Sequence, residues 1–139
     1  MRGKAVVLDA NILIRAVLGR RVRDIIMEYA TTVQFFAPDV AYADAKKYLP
    51  GLLQKRDIDP SAAMAVLDRL ASVVRCLDME LYGAMRQQAL QRIAMRDVDD
   101  WPVLACAMTL ECPIWTEDTD FFGTGVAIWT SDRIVLYLS

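Results

Sequence analysis

The chain has no histidine. That absence removes Ser-His-Asp and Cys-His triads, imidazole general acids and every zinc site built on imidazole. Cysteine is scarce. Cys76, Cys106 and Cys112 are odd in number and lack C-x-x-C spacing, which argues against a disulfide framework and a thiolate zinc site. They are expected as small core residues in a reduced, cytoplasmic interior. There is no Gly/Ser-rich linker, low-complexity tract or internal repeat, so we expect one domain, 1–139, long enough to bury a core. No uncharged apolar run approaches the roughly 18 residues of a membrane span, and the start lacks a signal-peptide core. Basic excess is missing too. The net charge is −2 and the pI is near 5.1, so no global field advertises nucleic acid. This weighs against a sequence-specific DNA-binding module, but less against an enzyme whose acids are neutralised by bound metal.

What the chain does have is carboxylates placed after short apolar runs. Lys4 to Ile14, KAVVLDANILI, reads as a strand buried on both faces, stopped at Asp9, then an apolar-periodic helix. Asp9 or Asn11 suits the cap of that helix. Equally, a carboxylate at the carboxyl end of a central strand stands where open α/β sheets place their ligands. A second unit of this kind is Cys112 to Phe122, CPIWTEDTDFF, in which Asp118 and Asp120 follow a short strand, Pro113 to Thr116. If the two strands lie parallel and adjacent, their aspartates converge. Crowded carboxylates raise one another's pKa unless a cation compensates them, and hard oxygen ligands suit Mg²⁺ or Mn²⁺.

Between these units the pattern alternates strands and helices, predicting an α/β fold with a mainly parallel sheet. Helices are expected over 11–18 and from Arg20 onward, and a strand over 33–36. Asp39 to about Leu53 reads as a helix with Val40, Ala41, Tyr48, Leu49 and Leu52 on its buried face. Asp44 falls in phase with that face and wants a partner, either Lys47 at i+3 or a metal. Asp59–Pro60 starts a further helix, Cys76–Leu77 forms a short strand, and Met79–Arg96 forms one long amphipathic helix with Arg86, Arg92 and Arg96 exposed. Asp97, Asp99 and Asp100 precede Trp101–Leu110, a helix apolar nearly all round and hence buried. Pro102 puts the helix start near Asp99–Trp101, with Asp99 as cap, Asp100 free to point at the strand ends and Asp97 facing solvent. The tail, 125–138, reads as an edge strand followed by a short helix or strand. An acidic centre with arginines around it suits phosphodiesters.

Taken together, these motifs resemble the PIN-domain family of metal-dependent nucleases over nearly the whole chain. The resemblance rests on LDANILI, PDVAYADAKKYL, DDWPVLACA and IWTEDTDFFG, in that order. It implies a three-layer α/β/α fold with a mainly parallel central sheet. It also implies a metal-dependent endoribonuclease in which Asp9, Asp44, Asp100 and Asp118 are the catalytic acids. Asp9, Asp100 and Asp118 would hold Mg²⁺ or Mn²⁺, and Asp44 would ligate or orient the attacking water. Asn11 and Thr116 match positions that orient the acids, and Asp120 is a fifth candidate. The middle acid is usually Glu in the family; Asp44 is shorter by one methylene.

Arg15, Arg20, Arg21 and Arg23 are candidates for gripping RNA phosphates; a solvated helix edge is the competing reading. Many small members of the family are toxins paired with an antitoxin, so an antitoxin partner is implied. Apolar residues make up 55% of the chain and mean hydropathy is +0.25, which fits either a generous core or an apolar patch for a protein partner or a homodimer. The alternative function is a catalytically silent PIN-fold module that binds protein.

Overall fold

The computed structural model describes residues 3–139; the first two residues of the expected 1–139 domain lie outside the described residues. The chain runs β1 (Lys4–Leu8), α1 (Ala10–Leu18), α2 (Arg21–Glu28), β2 (Val33–Pro38), α3 (Asp39–Lys55), α4 (Pro60–Leu70) and β3 (Val74–Leu77). It continues through α5 (Met79–Tyr82), α6 (Arg86–Ile93), α7 (Trp101–Leu110), β4 (Ile114–Trp115), β5 (Ile128–Trp129) and α8 (Ile134–Leu138). The five strands form one all-parallel sheet in the order β3-β2-β1-β4-β5. The strand order reverses between β1 and β4, so the carboxyl ends of these two strands flank the crevice where parallel sheets bind ligands.

Side-chain alternation along the strands builds a core on each face of the sheet. Val6 and Leu8 of β1, Phe35 of β2 and Trp115 of β4 pack with the buried faces of α1–α4 and α8. Val7, Phe36 and Ile114, each one residue away, pack with α5, α6 and α7. The architecture is therefore three-layered, α/β/α. Helix α7 is the most deeply set, burying Pro102 through Ala107. No helix among the described residues is long and apolar enough to cross a membrane.

Three expectations need correction. The stretch 79–96 is not one helix. It breaks into α5, a 3₁₀ turn at Gly83–Met85 and α6, which buries Tyr82 and leaves Leu81 57% exposed. The Tyr82 hydroxyl donates to Asp39, a contact that an unbroken amphipathic register cannot anticipate. On α3 the buried face is Ala41, Tyr42, Ala45, Leu49 and Leu53, rotated by about one residue from the expected one. Val40 and Tyr48 are exposed, as is Asp44. Of the cysteines, Cys106 is buried and Cys112 partly so, but Cys76 is exposed on β3.

Candidate metal centre

Asp9 follows β1 directly and caps α1, its Oδ1 accepting from the Ile12 N–H at 3.1 Å. Capping and site membership are thus the same placement. The parallel register pairs Val7 with Ile114 and Leu8 with Trp115, so one further step sets Asp9 beside Thr116. The fully buried Thr116 hydroxyl donates to Asp9 Oδ2 and accepts from the Asp118 N–H at 2.9 Å. Asp118 in turn accepts, through Oδ1, from the Asp120 N–H at 2.9 Å. One hydroxyl therefore orients two acids from adjacent strands.

Asp100 enters from the N-terminus of α7 and makes no capping bond. Its Oδ2 is buried and has no hydrogen-bond partner among the described residues. Asp9, Asn11, Asp44, Asp99, Asp100 and Asp118 line one cavity of about 170 Å³, with Val40 and Tyr48 of α3 on its wall. The rotated face of α3 thus looks into the cleft rather than into the core. Lys47 does not neutralise Asp44; its ammonium lies over the Tyr48 ring, 5.4 Å from the centroid. Among the described residues the one ion pair, Arg21–Asp132, lies elsewhere.

The cap of the late segment is Asp97, not Asp99. A 3₁₀ turn, Val98–Asp100, precedes α7, and Asp97 accepts from the Asp99 N–H at 3.0 Å. The extra turn moves the cap position back by two residues. Because residues i and i+3 eclipse in 3₁₀ geometry, Asp97 falls beside Asp100 even though it is exposed. Asp97, Asp100 and Asp120 each place a carboxylate oxygen within 4.8 Å of the others. Asp97 is exposed, as its expected solvent-facing place requires, but sequence reasoning did not set it beside Asp100 and Asp120. The signal that could have found it is the D-x-D-D spacing, once a 3₁₀ turn is considered ahead of a Pro-containing helix start.

Electrostatics follow from this crowding. Burial pushes the Asp9 carboxyl up to about 6, aided by Asp118 and Glu117 and opposed by the bonds from Thr116 and Ile12. Burial, then the charges of Asp118, Asp97 and Asp9, push Asp100 up to about 7. A buried anionic oxygen with no donor, ringed by other carboxylates and in no ion pair among the described residues, is unfavourable unless protonated or bound to a cation. An all-oxygen donor set on that orphaned atom fits a hard divalent ion such as Mg²⁺ or Mn²⁺. Thr116→Val keeps the shape but leaves Asp9 Oδ2 and the Asp118 N–H unpaired. It is expected to cost about 1–3 kcal/mol in urea unfolding; unchanged stability would show that the hydroxyl bridge contributes nothing.

The arginines sit elsewhere. Arg15, Arg20 and Arg21 border a separate cavity at the α1–α2 junction, the far end of α1 from Asp9, about 13 Å away at helical rise. Arg21 pairs with Asp132 at 3.1 Å, and Arg23 donates to the carbonyls of Ala16 and Val17. Asn11 lines the acidic cavity but makes no side-chain hydrogen bond to an acid among the described residues.

Comparison with known proteins gives the family and the fold. The family model described as PIN domain matches residues 7–139. No curated protein matches. Among solved structures, PAE2754 from Pyrobaculum aerophilum is similar with TM-score 0.73 and 15% identity, over 97% of this chain and 89% of that one. FitAcB from Neisseria gonorrhoeae has TM-score 0.66 and 19% identity, over 92% of this chain and 99% of that one. VapBC2 from Rickettsia felis, bound to a DNA fragment from their promoter, has TM-score 0.65 and 14% identity, over 91% and 98%. At such identities the likeness is one of fold.

Proposed function

The chain belongs to the PIN-domain family, and from that premise we propose that it is a Mg²⁺- or Mn²⁺-dependent endoribonuclease. The observation that carries the reading is Asp100 Oδ2, buried without a partner at the wall of the acidic cavity. Asp9, Asp100 and Asp118 would hold the cation. When bound, the cation supplies Lewis acidity, lowering the pKa of water and screening charge on the phosphodiester. Thr116 keeps Asp9 and Asp118 oriented through its hydroxyl. Asp44 lines the cavity from α3 and is exposed; it would orient the attacking water, through a bridging water in place of the longer Glu. With no histidine in the chain, the carboxylates carry whatever protons the protein itself holds at this site.

Purified protein is expected to cut single-stranded RNA with Mn²⁺ or Mg²⁺ and to stop in EDTA. Cleavage undiminished in EDTA would overturn the metal mechanism. A chain that binds Mn²⁺ and cuts no RNA would favour the silent, protein-binding module instead. We further read the chain as the toxin half of a cytoplasmic toxin–antitoxin pair, in line with its family and with the fold it shares with VapBC2 and FitAcB. Co-purification of a small protein encoded next to this chain would support that reading, and its activity at full strength beside the co-expressed neighbour would count against it.

A further inference from the structure

Four of the crowded acids come from two separate chain segments. Asp97 and Asp100 lie between α6 and α7, and Asp118 and Asp120 lie after β4. Beyond Thr116 the second segment is held outside the strand ladder, by the fully buried Phe121, by the Ser131 N–H donating to Glu117, by Arg92 donating to the Thr124 carbonyl and, at the 119–120 turn itself, by Arg96. Its Nη1 donates to the carbonyls of both Thr119 and Asp120, each at 3.0 Å. Gly123 lies against the guanidinium at φ +81, a left-handed conformation that favours glycine; a Cβ there would make only ordinary contact, 3.4 Å from Arg96 Nη2. The choice of partners is informative. Arg96 adjoins Asp97 in sequence and the acidic cluster in space, yet among the described residues it forms no ion pair with a carboxylate. Its donors go to backbone carbonyls, so its contribution is geometric rather than neutralising.

We propose that Arg96 is a positioning residue for the metal centre, clamping the 119–120 turn to the end of α6 so that Asp118 and Asp120 face Asp100. This rests on the reading of the cluster as a metal centre. Two opposite effects follow from removing the side chain, and their signs differ. Losing a positive charge beside a group of acids strengthens cation binding. Losing the clamp loosens the ligands and weakens binding, as removal of groups that orient metal ligands does by about 10–100-fold. Because Arg96 is exposed, the lower end, about tenfold, is expected, with the fold intact.

The experiment uses the full chain as wild type, Arg96→Ala and Arg96→Lys. Mn²⁺ uptake is followed by electron paramagnetic resonance of the free ion, and amide hydrogen exchange is measured in EDTA. Arg96→Ala is expected to bind Mn²⁺ about tenfold more weakly and to exchange faster at residues 118–122, while amides of α7 stay protected. Arg96→Lys, with the charge kept and a single donor centre in place of the fork, is expected to recover part of the affinity. Arg96→Ala binding Mn²⁺ as tightly as wild type or more so, or unaltered exchange at 118–122, overturns the assignment alone. Wild-type protein that takes up no Mn²⁺ overturns the metal reading, and this assignment with it.

Discussion

Asp9→Asn is expected to abolish RNA cleavage and, in the same protein, to raise the melting temperature of the metal-free form near neutral pH. The two effects have one cause. Asp9 is 8% exposed and its carboxyl is pushed up to about 6 by burial, so holding it ionised above that pH costs folding free energy. A displacement of this size from the ordinary aspartate value corresponds to about 3 kcal/mol. Asn retains an oxygen to accept from the Ile12 N–H, so the α1 cap survives. The bond from Thr116 is disturbed, because that hydroxyl already accepts from Asp118 and must turn to meet an amide NH₂. Part of the gain is lost there, leaving about 1–2 kcal/mol and a rise of about 3–6 °C. Cleavage should fall at least about 100-fold, because an anionic ligand becomes neutral. Thermal unfolding in EDTA, beside RNA cleavage with Mn²⁺, checks both halves. A variant less stable than wild type would show that the lost Thr116 bond outweighs the cost of burying the Asp9 charge.

A second large effect is an exchange between protons and metal. Below the unfolded aspartate pKa of 3.8, both states carry protons on Asp9 and Asp100, and neither group biases folding. As pH rises, the unfolded chain releases these protons first, while the folded protein holds them to about 6 on Asp9 and about 7 on Asp100. The folded state binds more protons throughout that window, so the stability contributed by these two groups falls as pH rises and levels off above about pH 7. Mn²⁺ reverses the trend, because an ion that binds only the folded state stabilises it. The metal-induced rise in melting temperature is expected to be large at about pH 8 and nearly absent at about pH 5, where protons occupy the ligands. Comparing wild type with Asp100→Asn isolates the site from every other titrating group, and the variant should lose most of the metal response. An equal Mn²⁺ effect at both pH values would place the bound ion away from Asp9 and Asp100.

Local signals were legible without a structure. The run Ala5–Leu8 followed by Asp9 marks a strand and its end because burial on both faces demands unbroken apolar side chains. Asp59–Pro60 marks a helix start because a capping oxygen and a fixed φ act within one turn; Asp59 does accept from the Ser61 N–H. The absence of histidine left carboxylates as the chemistry, and the spacing of LDANILI and IWTEDTDFFG carried the family. Periodicity defines a helix face, however, and not what the face meets. Val40, Asp44 and Tyr48 share a stripe of α3 that reads as core and in fact borders the acidic cavity.

Tertiary structure decided everything that depends on which distant segments become neighbours. The pairing of β1 with β4, more than a hundred residues apart, sets Thr116 beside Asp9, and no local propensity encodes a parallel pairing. A 3₁₀ turn at Gly83–Met85 interrupts the helical register of 79–96, and Tyr82 ahead of it reaches Asp39, an outcome of packing rather than pattern. A single 3₁₀ turn moved the cap from Asp99 to Asp97. Arg96, a solvent-facing residue by phase, became a link between the two acidic segments because the 119–120 carbonyls lie within its reach. The sequence by itself determined which elements form and which side chains can do chemistry, since those follow from interactions over a few residues. Only the folded chain decided which of those side chains meet, since that depends on burial and register summed over the whole sheet.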